Sequence, residues 1–139
     1  MRPLLLLLAL AAVLAGCGPA PSSSSNFKGA EKDVAQVIED LQSNAQSRKP
    51  SAICNDVLSR ALADKVKSGG SDCAGEMEKV TGDADDFELK VTDVTITGNT
   101  ATATVKARRG DDKNASTTFS LVKEGGDWRL SDLGASAPA

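Results

Sequence analysis

The sequence predicts an α+β domain with its helices first and an antiparallel four-stranded meander after them. Two observations carry this. Apolar residues recur at helical spacing from Ala30 to Val80, and at alternate positions from Phe87 to Leu130. A third observation, a short apolar run at the start of the chain, stands outside that pattern and predicts location rather than fold.

Arg2 supplies a positive start, Leu4 to Leu14 is unbroken Leu, Ala and Val, and small residues follow. This is the layout of a secretory signal. A bilayer core of ~30 Å needs ~20 apolar residues in a helix, and the run is ended too early by Gly16, Gly18 and two prolines. Leu14-Ala15-Gly16-Cys17 resembles the lipobox of bacterial lipoproteins, in which the cysteine thiol takes a diacylglyceryl group and becomes the first residue of the mature chain. The resemblance implies that Cys17 is lipidated; the alternative is a plainly secreted protein whose Cys17 is incidental. Each buried methylene contributes ~0.8 kcal/mol, so two acyl chains give an effectively permanent anchor. The expectation is a cell-membrane protein, lipid-anchored on the extracytoplasmic side.

The expected division is a signal peptide over 1–16, a lipidated cysteine and flexible tether over 17–26, the α+β domain over 27–134 and a disordered tail over 135–139. Gly18 to Asn26 is Pro, Ala and Ser without apolar periodicity, and as a coil it reaches roughly 15 to 20 Å.

Ala30, Val34, Val37, Ile38, Leu41 and Ala45 share one helix face, with Glu31, Lys32, Asp33, Gln36, Glu39 and Asp40 opposite. The helix should stop before Pro50. A second helix, with Pro50 in its first turn, places Ile53, Cys54, Val57, Leu58, Ala61, Leu62 and Val66 on one side and ends at Gly69-Gly70. Ser71 is the expected cap of a third, with Cys73, Met77 and Val80 inward. From Phe87 the period is two. Phe87, Leu89 and Val91 alternate inward, then Val94 and Ile96 take the other parity, which predicts a bulge near Asp93. Gly98-Asn99 makes a tight turn, Ala101 to Ala107 the second strand, Gly110 to Asn114 a turn, Thr117 to Lys123 the third strand, and Glu124 to Asp127 a turn into a fourth strand with Trp128 and Leu130 inward.

The core is aliphatic: the chain has three Phe, one Trp, no Tyr and no His. A formal charge of -3 argues against nucleic acid and offers no polybasic patch for lipid headgroups, so membrane contact is expected through the anchor alone. With Cys17 assigned to lipid, Cys54 and Cys73 remain as an even pair in an oxidising compartment, where a disulfide is the default. A redox-active pair is the weaker rival, because the two are neither C-x-x-C nor beside a basic residue. A metal site is weaker still, since without His two cysteines need carboxylates to complete a tetrahedral set. No metal and no cofactor is expected.

Among polar candidates, Asp83, Asp85, Asp86 and Glu88 carry the oxygen chemistry of a calcium site but match no calcium loop, so a solvated connection is preferred. Arg108 and Arg109 have the fork that grips an anion, but Asp111 and Asp112 beside them favour local ion pairs. Asp93 is a candidate buried carboxyl if the change of parity turns it inward; a water-facing bulge residue is the preferred alternative. Trp128 is a candidate pocket wall, although an inward Trp in a small domain is core first. Thr100, Thr102 and Thr104 form the outward row of a strand, or a surface for pairing with another protein. Asn114-Ala115-Ser116 matches a glycosylation acceptor by pattern only.

Three helices, Val91-x-x-Val94-x-Ile96-x-Gly98-Asn99-x-Ala101-x-Ala103, and the ending Leu121-Val122-Lys123-Glu124-Gly125-Gly126-Asp127-Trp128-Arg129-Leu130 together resemble the NTF2-like superfamily, and within it small bacterial lipoproteins with a cysteine in each of two helical segments. The resemblance covers Phe27 to Leu133. It implies a sheet curled round the long helix into a cone whose open end holds an apolar molecule or an active site, and an outer sheet face that often forms homodimers. The superfamily's proton-transfer enzymes use Asp, His or Tyr in the cone, so none of their catalytic positions carries over to a chain without His or Tyr. The expected function is non-enzymatic binding of a small apolar ligand or of an envelope protein. An enzyme using a carboxylate base, with Asp93 as the one nameable candidate, and a purely structural or dimerising module are the alternatives.

Overall fold

The computed structural model describes residues 22–67, 70–82, 87–109 and 115–134. Cys17, the segment around it, Asp83 to Asp86, Gly110 to Asn114 and the expected tail lie outside them.

Helix α1 (Gly29–Gln46) runs 18 residues. Val34, Ala35 and Ile38 are fully buried, whereas Ala30 is exposed and Val37 and Leu41 are partly so. The inward stripe is therefore centred one position from the expected one. It ends before Pro50, as expected, with Arg48 in the left-handed region at φ 54°.

The expected second helix is broken in two. A short turn, α2 (Pro50–Ala52), passes into a π-helical segment (Ile53–Val57), and α3 (Arg60–Val66) starts afresh. The break has an identifiable cause. Leu58 is extended and forms a parallel bridge with Leu130, the Ser59 amide donates to the Leu130 carbonyl at 2.7 Å, and the Ser59 hydroxyl accepts from the Leu62 amide at 3.2 Å. A serine that caps one helix while its amide joins a strand cannot continue the helix before it. Helix α4 (Cys73–Thr81) is capped by Asp72, not Ser71, through a 2.8 Å bond from the Gly75 amide. Cys73 and Met77 are buried, but Val80 is 71% exposed, which corrects its expected inward placement.

Strands β1 (Phe87–Thr97), β2 (Thr100–Arg109), β3 (Ala115–Glu124) and β4 (Asp127–Asp132) form one antiparallel sheet in the order β1-β2-β3-β4. The predicted bulge is present: the β1–β2 register shifts between Val91 and Asp93. Val91 and Val94 both face inward as a result, with Thr92 and Asp93 exposed between them. Inward residues of all four strands, among them Val105, Leu121 and Leu130, pack with Ile38, Ile53 and Val57 into one core. Cys54 and Cys73 are joined as a disulfide that ties the π segment to the start of α4.

Both edges of the sheet are occupied in part. On β1 the Leu89 amide donates to Gln42 Oε1 at 2.6 Å, the Val91 amide to Ser23 Oγ at 3.3 Å, and the Phe87 carbonyl accepts from Gln46 Nε2 at 2.8 Å. On β4 the Leu58–Ser59 segment takes the place of a further strand.

The N-terminal segment departs from expectation. Ser23–Asn26, read from composition as part of a flexible tether, forms a 3-10 turn packed on α1. One carboxylate does this. Glu39 accepts from the Ser24 amide at 2.7 Å, from Ser24 Oγ at 2.8 Å and from Ser23 Oγ at 3.2 Å, and Ser24 is 4% exposed. Charge-assisted bonds of this kind are the stronger sort. Glu39→Ala leaves a buried amide and hydroxyl without an acceptor, an expected cost of about 1–3 kcal/mol. The cost should appear locally: amides of residues 23–27 gain fast hydrogen exchange while those of β2 and β3 keep their protection. Unchanged exchange at Ser24 would contradict the clasp.

Candidate functional site

A cleft of about 340 Å³ opens where α1 faces the β3–β4 hairpin. Helix α1 contributes Asp33, Gln36, Val37 and Asp40, at i, i+3, i+4 and i+7, hence on one side of the helix. Asp56 comes from the π segment, and the hairpin brings Lys123, Asp127, Trp128 and Arg129.

Trp128 and Leu130 point to the helix side of β4. Lys123, the register partner of Trp128, lies on the same side of β3, its ammonium 5.7 Å from the centre of the indole ring. The cation thus sits over the ring's negative face. Trp128 itself is 7% exposed, so it is chiefly core and gives the cleft only a small part of its surface. Arg129 donates from Nη1 to the Asn55 carbonyl, which holds the guanidinium between this cleft and a second of about 260 Å³ beside Cys54, Arg60 and Glu124. The Glu124 carboxylate accepts from the Arg60 amide at 3.3 Å and tethers the start of α3 to the end of β3.

The first cleft is polar and acidic. Four aspartates, Asp33, Asp40, Asp56 and Asp127, face the two cations Lys123 and Arg129. Withdrawal from water, reinforced by the neighbouring Glu39 carboxylate, pushes the Asp40 carboxyl above the ordinary aspartate range.

Trp128 is at this cleft; Asp93 is not. Asp93 pairs with Thr104 on the outer face of the sheet and is exposed. The bulge absorbs the change of parity by turning two consecutive side chains to water, which leaves Asp93 exposed and away from this cleft and takes from it the role of buried base. Arg108 pairs with Glu88 across the strands through one contact at 2.6 Å, both side chains more than half exposed, the local ion pairing expected of it although with a different partner. The inward residues of the helices and the sheet form one buried cluster, and the cleft lies where α1 faces the β3–β4 hairpin. Sequence reasoning missed Asp33, Asp40, Asp56, Lys123, Asp127 and Arg129. They come from four separate elements, and the helical spacing of Asp33, Gln36 and Asp40 was the one signal available. Among the described residues no three His, Cys, Asp or Glu side chains group as metal ligands, and no helix is long and apolar enough to cross a membrane.

Residues 55–137 match the family described as low molecular weight antigen MTB12, C-terminal domain. No curated protein matches the chain. Among solved structures, an NTF2-like protein of unknown function from Shewanella baltica OS155 is similar at 14% identity and a TM-score of 0.48, over 76% of this chain and 92% of that one.

Proposed function

This chain belongs to the family of the low molecular weight antigen MTB12 C-terminal domain, and we propose that it is a lipid-anchored, extracytoplasmic binding protein without catalytic activity. Its ligand carries a cationic group, an amine or a guanidinium, on an apolar body. The observation that supports this best is the cleft, where four aspartates outnumber two cations beside the indole of Trp128. Anchoring through Cys17 is supported by the Leu14-Ala15-Gly16-Cys17 motif. Cys17→Ser is expected to release the protein from the membrane fraction, and unaltered membrane association would count against the anchor.

Trp128 is the sole tryptophan, so its fluorescence reports on the cleft without labels. Titration with a series of alkylammonium ions and with spermidine should give a saturable change, and the matching alkyl carboxylates none. Asp40→Asn is expected to weaken the ammonium response about tenfold, the effect of losing one charge-assisted partner. The pH dependence has a definite sign. Asp40 holds its proton to higher pH than an ordinary aspartate, so ammonium affinity should rise as pH climbs through that raised value and fall below it. An equal response to amines and carboxylates, or none to either, would remove the reading.

A further inference from the structure

We propose that one end of the outer sheet face, marked by Lys90 and Lys106, rests on an anionic lipid surface, and that the clasped N-terminal segment holds it there. The proposal rests on the anchored reading of Cys17 above.

The β1–β2 register sets Lys90 directly opposite Lys106 on the face away from the helices, and both are exposed. Like charges directly opposite across strands repel. Neither lysine is ion-paired with a described residue, whereas the next row along is self-neutralised by Arg108 and Glu88 at 2.6 Å. Exposed Asp93 lies toward the bulge on the other side of the row. Among the described residues the pair is therefore a local positive site, on a chain whose formal charge is -3. A net charge conceals such a site, which is why composition argued against contact with lipid headgroups.

The second observation is where the chain leaves the domain. Ser23 Oγ accepts from the amide of Val91, the residue after Lys90, and Ser24 is clasped by Glu39. Only the links from Cys17 to Ser22 then separate the acyl chains from a fixed point beside Lys90, and fully extended they span about 17 Å. A tether free as far as Asn26 would have left the orientation open; a clasped one brings this end of the sheet to the headgroups. Charge selects the same end, since each lysine near an anionic surface favours contact about fivefold. A second copy suits the site poorly, because a symmetric pairing there would bring four ammonium groups together.

Among the three cysteines of the chain Cys54 and Cys73 are bridged, so Cys17 is the one thiol free for coupling. The mature chain from Cys17 to Ala139 is coupled to a maleimide phospholipid in vesicles of phosphatidylcholine, with or without phosphatidylglycerol. Lysines are then acetylated with a water-soluble reagent and each site is quantified by peptide mass spectrometry. Lys90 and Lys106 should be protected at least fivefold on the anionic vesicles relative to the neutral ones, while Lys67 and Lys123 react equally on both. High salt should abolish the protection, and Glu39→Ala, which frees the tether, should reduce it. Equal labelling of Lys90 on both vesicles would overturn the proposal, and so would equal protection on both, the result expected if copies of the chain pair through this face. Because the coupling is chemical, these outcomes do not depend on native lipidation, which is read separately from the mass of the Cys17 peptide of protein extracted from cell membranes.

Discussion

Leu130→Ala should destabilise the domain by about 3–4 kcal/mol, the largest loss expected from any single truncation of the core. Leu130 is fully buried, pairs with Leu121 of β3, and bridges to Leu58. Its carbonyl takes the Ser59 amide at 2.7 Å, so the residue lies where the sheet, the π segment and the start of α3 meet. Shortening the side chain opens a cavity that three elements must share, and none of them moves without breaking its own hydrogen bonds. Small domains have about 5–15 kcal/mol in all, so this is a substantial fraction. Urea denaturation should show a lower midpoint at an unchanged slope. Val80→Ala, at a residue 71% exposed, is the control and should stay within about 0.5 kcal/mol. A Leu130→Ala loss no greater than the control's would mean that the three elements are not coupled there.

Removing the Cys54–Cys73 bridge ranks next. The bond joins residues 19 apart, and closing a loop of that order contributes about 3 kcal/mol in the chain-entropy account. The loss should also be unevenly placed. Helix α4 buries only Cys73 and Met77 among its residues, and its third expected inward residue, Val80, faces water. In the Cys54→Ser, Cys73→Ser double variant, amides of α4 are expected to exchange ahead of those in β2 and β3, with the midpoint in urea lowered as well. Simultaneous loss of protection in α4 and the sheet would show that the bridge supports the whole fold and not one helix.

Periodicity carried most of the architecture. The change from a period near four to a period of two at Phe87 placed the helix-to-sheet transition, and the switch from Val91 to Val94 located the bulge, because both are burial patterns written in consecutive residues. What escaped were contacts between residues far apart in the chain. Ser59 looks unremarkable inside an apolar helical stretch; only the Leu130 carbonyl explains why the helix breaks there. The serines at 22–25 have the composition of a linker, and the Glu39 carboxylate that orders them belongs to what reads as a solvated helix face. The aspartates of the cleft were legible as a spacing in α1, but their meeting with Lys123 and Trp128 depends on how the β3–β4 hairpin lies over that helix. Asp93 failed as a pocket residue for the opposite reason: the bulge was read correctly, but its effect on the side chain was left open between two outcomes, and the structure took the water-facing one.

The partly covered edges of the sheet bear on how the molecule behaves when crowded. An exposed strand edge is a template on which a neighbour's strand adds, and repetition of that step makes a fibre. Here Gln42, Gln46 and Ser23 occupy hydrogen-bonding groups along β1, and the Leu58–Ser59 segment lies along β4. Copies that collide at high local density therefore find these stretches of both edges already engaged, which leaves less backbone on which to extend the sheet.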